Sequence, residues 1–208
     1  MPRSVLTASD LEGIPAGGEL CIPPGTLITP LAREEAERRG ITLRLAEPDG
    51  VAGPQARVVA IGADHAGYEL KQYLMGLLRD WGYSVLDMGT HSPEPADYPD
   101  TAEAVARAVV RGEAWRGIVI DGAGIGSSIA ANKLPGARAA LCYDRVTARN
   151  SREHNDANLL ALGARLLSRE LAREIVAVWL ETPFAGGRHQ RRVEKIHAIE
   201  QRAREHRE

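Results

Sequence analysis

From Arg57 onward, short apolar runs alternate with segments whose apolar residues recur every three or four positions, which predicts strands alternating with amphipathic helices. VVAIGA (58–63) reads as a strand, and AGYELKQYLMGLLRDWG (66–82) as a helix with Leu70, Tyr73, Leu74, Leu77 and Leu78 on one face. YSVLDMG (83–89) is the next strand and TAEAVARAVVRGE (101–113) the second helix. GIVIDGAG (117–124) is a nearly all-apolar strand that runs into a glycine turn and opens a third helix at SSIAANK (127–133). ARAALCY (137–143) and NLLALGAR (158–165), with VTARNSREHN between them, are strands four and five. SRELAREIVAVWLET (168–182) is a long helix, and a basic terminal segment starts at Arg188. Strands apolar along their whole length belong to a sheet covered on both faces, so the class is α/β with a five-stranded parallel sheet.

Ahead of this run, GELCIPPGTLITP reads as extended segments punctuated by Pro23-Pro24-Gly25. Thr29-Pro30 supplies an N-cap and a first helical residue for LAREEAERR, Gly40 ends that helix, and ITLRL follows as a strand. This β-α-β-like unit of about fifty residues is marginal as an independent fold. The Pro/Gly-rich stretch from Ala46 to Gln55 separates the two, so a small module over 1–52 and a main domain over 53–208 are expected.

Composition narrows the function classes. With 26 Lys plus Arg against 28 Asp plus Glu, the formal charge is −2, which provides no global attraction to nucleic acid or to an anionic membrane. No apolar run approaches the ~18 residues of a membrane span, and two cysteines in no metal-ligand spacing argue against a disulfide framework or a zinc site. A cytoplasmic protein without metal or cofactor is the expectation, with Cys142 a small buried hydrophobe.

Parallel sheets place ligands beyond the carboxyl ends of their strands, which directs attention to GADHAG, DGAGIGSS and the SREHNDAN stretch. Gly122, Gly124 and Gly126 let backbone amides approach an anion, although the spacing is not that of a dinucleotide or triphosphate motif; a tight strand-to-helix turn explains the same glycines. Asp121 ends the strand before them. Burial there would raise its pKa towards a useful general base, while capping the turn through its side chain is the plainer role. Asp64 and His65 stand at the end of the first strand and His154 and Asn155 at the approach to the last, which predicts a shared cleft. Arg188 and Arg192 lie four apart, a spacing that shares one helical face and suits a phosphate clamp; with Arg191 they also fit a solvated charged helix in which Val193, Ile196 and Ala203 form an apolar stripe.

Taken together, GADHAGYELK, DYPDTA, GAGIGSSIAANK, REHNDANLLALGAR and GGRHQRRVEKI resemble the family of ribose-5-phosphate isomerase type B and galactose-6-phosphate isomerase, over about residues 57 to 200. The resemblance implies a Rossmann-like three-layer α/β/α sandwich, no metal, and a homodimer or dimer of dimers with sites between subunits and a C-terminal dimerisation helix. It implies aldose–ketose isomerisation of a sugar phosphate, ribose 5-phosphate to ribulose 5-phosphate, through a cis-enediolate. His154 matches the family's ring-opening histidine, Asp64 and Asn155 its hydroxyl-binding groups, and the amides from Gly122 to Gly126 its enediolate stabilisers. His65, Arg188 and Arg192 match its phosphate-binding positions, joined by Arg165. The chain departs from the pattern at the base: Asp121 stands where one branch has cysteine, Ser127 where another has glutamate, and Ala123 where Thr or Ser is usual. A carboxylate can carry a proton between adjacent carbons, as the glutamate of triosephosphate isomerase does, so Asp121 is the candidate base, provided its pKa rises. A site that binds a phosphosugar without turnover, or takes another sugar phosphate, is the competing reading. In the opening module, PPGTLITPLAREEAERRGI is similar to short segments of proteins from bacterial microcompartment operons, which implies shell or cargo proteins as partners; a docked extension without that role fits equally.

Overall fold

A computed structural model describes residues 5–22, 26–45 and 57–205, and the chain divides into two compact units, Met1–Ala52 and Gly53–Glu208. The linker read over Ala46–Gln55 and the Pro23-Pro24-Gly25 break lie outside the described residues.

In the first unit, β1 (Val5–Leu6) pairs in parallel with β3 (Leu27–Ile28), and β2 (Glu19–Ile22) with β4 (Thr42–Leu45). Between β3 and β4 lies α1 (Pro30–Arg38), whose N-cap Thr29 accepts the Ala32 amide at 3.3 Å while Pro30 occupies the first turn, where its missing N–H costs nothing. Leu6, Leu11, Ile22, Ala32, Ala36 and Ile41 form a small core of its own.

The second unit contains β5 (Val58–Ala63), α2 (Tyr68–Asp80), β6 (Ser84–Asp87), α3 (Tyr98–Val110), β7 (Arg116–Asp121), α4 (Ile125–Ala131), β8 (Ala139–Leu141), α5 (Arg145–Asn155), β9 (Leu159–Gly163), α6 (Arg169–Glu181), a short 3-10 turn Gly187–His189 and α7 (Gln190–Glu205). All five strands pair in parallel, in the order β6-β5-β7-β9-β8. The two-residue period of the strands divides their side chains between two cores. Val59, Ile61, Ile118, Ile120, Leu160 and Leu162 pack with α2 and α6 around the buried Trp179, while Ala60, Val119, Leu159 and Ala161 face α3 and α4. Alanines 102, 106 and 108 let α3 ride close to the sheet.

One helix escapes the apolar period. VTARNSREHN forms α5, which buries only Ala148, Ser151 and Arg152, so the period that marks the other helices is missing. Its start is encoded instead by Asp144, which accepts the Thr147 amide at 2.7 Å. Trp179 and Arg116 explain how α6 ends: Arg116, itself buried, donates to the Trp179 and Leu180 carbonyls at 2.6 and 3.0 Å and to Thr182 at 3.3 Å. None of the helices among the described residues is long and apolar enough to cross a membrane.

Candidate active site

The chain enters the sheet at β5, moves to β6 on one side and then to β7 on the other, so the switch point lies beyond the carboxyl ends of β5 and β7. Asp64 follows β5 there and Asp121 ends β7. They are tied through the backbone, the Asp64 amide donating to the Ile120 carbonyl at 3.1 Å. Asp64 is buried, and its Oδ1 accepts the Gly67 amide at 2.9 Å. His65 is exposed, with Nδ1 against the Ala96 backbone at 3.3 Å from its oxygen.

Asp121 is only 5% exposed, and both its oxygens are engaged. Oδ1 accepts the amides of Ala123, at 2.8 Å, and Gly124; Oδ2 accepts the Ser127 amide at 2.8 Å. Burial alone would raise the pKa, but the hydrogen bonds from Ser127, Gly124 and Ala123 outweigh it and hold the carboxyl below its ordinary value. The pKa raised by burial that the sequence predicted for Asp121 is therefore corrected. The side chain caps the turn as an ionised carboxylate, and two of the amides assigned to an enediolate, those of Ala123 and Gly124, serve it here.

The rest of the turn is shaped by close contacts. Gly124 has φ +79, and a Cβ there would come within 2.8 Å of the Leu162 backbone carbon; at Gly126 it would meet the Tyr98 ring at 2.6 Å. Tyr143 donates its hydroxyl to the Ala123 carbonyl at 2.9 Å. Arg165, exposed at the end of β9, bonds its amide to the Gly122 carbonyl at 3.0 Å and lays its side chain beside Gly122. Lys71, absent from the sequence-based site, is fully buried in α2 and pairs with Asp87 at 2.5 Å; Asp87 also accepts the Gly89 amide at 3.1 Å, anchoring the loop that leads to Ala96. The one signal for it is a lysine beside Leu70 on an otherwise apolar helix face.

His154 and Asn155 lie elsewhere. Helix α5 runs back from the carboxyl end of β8 to the amino end of β9, which places its C-terminus at the opposite edge of the sheet from Asp64 and Asp121. The length of β9 alone, five residues, separates the edges by about 13 Å. The shared cleft expected within one chain does not form, because a helical crossover between parallel strands must return to the starting edge. At that second edge the Ala185 amide donates to the Glu153 carbonyl at 3.0 Å, tying the segment before α7 to α5. The His154 ring stacks on that of His189, centroids 4.1 Å apart and planes within 4°. Arg188 donates Nε to His189 Nε2 at 3.3 Å. Burial, then the charges of His154, Arg188 and Arg192, push the His189 pKa down. Arg188 belongs to the 3-10 turn and Arg192 to α7, so the expectation that both lie on one face of a single helix is corrected. His189 is the residue the sequence reading missed here, hidden within GGRHQ between two arginines that drew the attention.

Cys142 is buried, and burial pushes its thiol pKa up. Among the described residues no group of three or more His, Cys, Asp or Glu is placed to hold a metal ion.

Residues 59–196 match the family model for ribose/galactose isomerases. The chain is 51% identical over 144 residues to ribose-5-phosphate isomerase B of Escherichia coli, covering 69% of this chain and 97% of that one. It is 44% identical over 140 residues to the D-erythrulose-4-phosphate isomerase of Pectobacterium atrosepticum, 66% of this chain and 91% of that one. Among solved structures, ribose-5-phosphate isomerase B of Clostridium thermocellum superposes with a TM-score of 0.70 at 54% identity, over 70% of this chain and 99% of that one.

Proposed function

Because this chain belongs to the ribose/galactose isomerase family, we propose that it interconverts ribose 5-phosphate and ribulose 5-phosphate, without a metal and with Asp121 carrying the proton between C2 and C1. The observation that carries the reading is the ionised Asp121 carboxylate at the switch point, beside a glycine turn and Arg165. An ionised carboxylate is in the state that accepts a proton. On abstraction from C2 the C–H pair becomes the C1=C2 bond and negative charge develops on the carbonyl oxygen. Neutralised Asp121 is then a weaker acceptor, so amides of the turn are freed for that oxygen. Asp64 holds a sugar hydroxyl, with Ser127 and Gly122 to Gly126 around the reacting carbons, and His65 and Arg165 reach the phosphate.

His154, Asn155, Arg188 and Arg192 stand at the other edge of the sheet, so the complete site takes them from a second copy. Exposed Ile125, Ile129, Tyr143 and Val146, all on or next to α4 and α5, supply an apolar surface suited to that contact. The working unit is a homodimer, or a dimer of dimers. Residues 1–52 tether the enzyme to microcompartment shell or cargo proteins, and the protein is cytoplasmic or enclosed in such a compartment.

The D-erythrulose-4-phosphate isomerase among the relatives favours a second substrate reading, a four-carbon sugar phosphate. The test is turnover of metal-stripped, full-length protein on both substrates. A higher kcat/KM on ribose 5-phosphate supports the proposal; a higher value on the tetrose phosphate replaces the substrate, and binding without turnover on either reduces the protein to a phosphosugar binder.

A further inference from the structure

The His154 ring is held by two contacts that the reaction as described does not use. One is the flat stack on buried His189. The other is Asn150, one turn earlier on α5, whose Nδ2 lies 2.8 Å from His154 Nδ1. A carboxamide nitrogen can only donate, so the ring nitrogen facing it must accept. The proton of a neutral imidazole then resides on Nε2. We propose that Asn150 is a positioning residue that fixes His154 as a neutral Nε2–H donor, so that His154 polarises the sugar's ring oxygen and keeps its own proton.

The chemistry follows from the proton count. Opening an aldofuranose breaks the bond between C1 and the ring oxygen, forms the C1=O1 double bond, and moves the anomeric O1 proton to the ring oxygen. If His154 gave up its Nε2 proton while Asn150 donates to Nδ1, an imidazolate would remain, which is prohibitive. The transferred proton therefore travels from O1 to the ring oxygen through a water molecule, while Nε2–H stabilises the charge on the ring oxygen as the bond breaks. His189 is neutral as well, since Arg188 Nε donates to its Nε2, and burial and the charges of His154, Arg188 and Arg192 push its pKa down. The carboxylate that offsets them is Glu153. The His189 ring fixes the plane in which the Nε2–H bond points.

This rests on the isomerase reading for its purpose but not for its test, which is the tautomer itself. Full-length protein labelled with 15N-histidine, with His154→Gln used for assignment, is expected to show His154 Nδ1 unprotonated and Nε2 protonated at pH 8. Asn150→Asp replaces the donor by an acceptor and is expected to invert the pattern. The same variant should lower kcat on ribose 5-phosphate by about tenfold or more with KM within about twofold, as for an interaction used in the transition state. Asn150 is exposed, so the variant retains the fold, checked by the unchanged resonances of the other histidines. A wild-type ring protonated on Nδ1, an uninverted tautomer in the variant, or an inverted tautomer with unchanged kcat each overturns the proposal. A wild type with the expected tautomer but no turnover overturns the isomerase reading instead.

Discussion

The Asp121 carboxylate and the Ser127 amide, six residues apart in sequence, meet at 2.8 Å and close the glycine turn at the end of β7. A carboxylate that helps build the turn and also serves as the base must do the second at the expense of the first. In the proposed role as base, its lowered pKa makes it fully available as an acceptor at neutral pH and a weak one, so much of the driving force for proton abstraction would have to come from the enediolate side.

That pKa direction fixes a pH dependence. Below the unfolded value of ~3.9 the native hydrogen bonds are progressively lost, so the stability Asp121 contributes is complete above that value and disappears as pH falls through the folded one. Activity should therefore show no acid limb from Asp121 between about pH 5 and 8, in contrast to a base raised by burial. Asp121→Asn is expected to lower kcat by about 100-fold or more. It should also cost about 1–3 kcal/mol, because the NH₂ of the new carboxamide must face a backbone N–H. Rates across pH with thermal melts of the same samples check both; a variant that melts lower yet turns over normally would leave Asp121 as a cap alone. Treatment with iodoacetamide should spare the wild type, whose Cys142 is buried.

The separation of His154 from Asp121 predicts complementation. Asp121→Asn and His154→Gln are each expected to be inactive. Mixed and allowed to exchange subunits, half of the dimers are hybrids, and each hybrid has one site built from two intact halves. Recovery of about a quarter of wild-type activity is expected from that symmetry. No recovery despite exchange, followed by mass spectrometry, counts against a shared site.

How much of this was legible in the sequence depends on which physical signal carried it. The strands and the helices α2, α3 and α6 announce themselves because their buried faces are built from Leu, Ile, Val and Ala at regular spacing. Helix α5 does not, since its buried face is Ala148, Ser151 and Arg152. Apart from Lys71 and His189 the candidate residues were readable as motifs, yet their grouping was not. Placing His154 with Asp64 assumed that both approach the same strand ends, and only the direction of α5 shows otherwise. The sign of the Asp121 shift was equally hidden, because it depends on the amides of Ala123, Gly124 and Ser127 converging on one carboxylate.

Arg116 offers a stability test at the amino edge of the sheet. Helix α6 is followed by Pro183, which has no N–H to give the Trp179 carbonyl, and Arg116 Nη1 fills that role at 2.6 Å. Its guanidinium also lies over the rings of Trp115 and Trp179, at 4.0 and 5.0 Å. Arg116→Met fills similar volume and leaves the Trp179 and Leu180 carbonyls without this donor. A loss of about 2–4 kcal/mol is expected, which lowers Tm by about 4–16 °C for a chain of this size. Arg116 shares the amino edge of the sheet with His154, but its contacts are the Trp179, Leu180 and Thr182 carbonyls and the tryptophan rings, so kcat at temperatures well below Tm should stay within about twofold of wild type. A melt unchanged from wild type would show that water replaces the guanidinium at little cost.

The first unit can be tested for what it adds. Its core of Leu6, Leu11, Ile22, Ala32, Ala36 and Ile41 is small, whereas residues 53–208 correspond to nearly the whole length of the Escherichia coli relative. The second unit should therefore fold and turn over unaided: deletion of residues 1–52 is expected to leave kcat per site within about twofold of the full chain. If 1–52 is a tether, the deletion abolishes co-sedimentation with purified microcompartment shells, and a fluorescent protein carrying 1–52 at its N-terminus gains it. Ala36→Glu, which forces a carboxylate into the core beside α1, should abolish that gain by unfolding the unit, since a buried unpaired charge costs several kcal/mol against so small a core. Co-sedimentation that survives both changes would place the shell contact elsewhere and leave the first unit a docked extension.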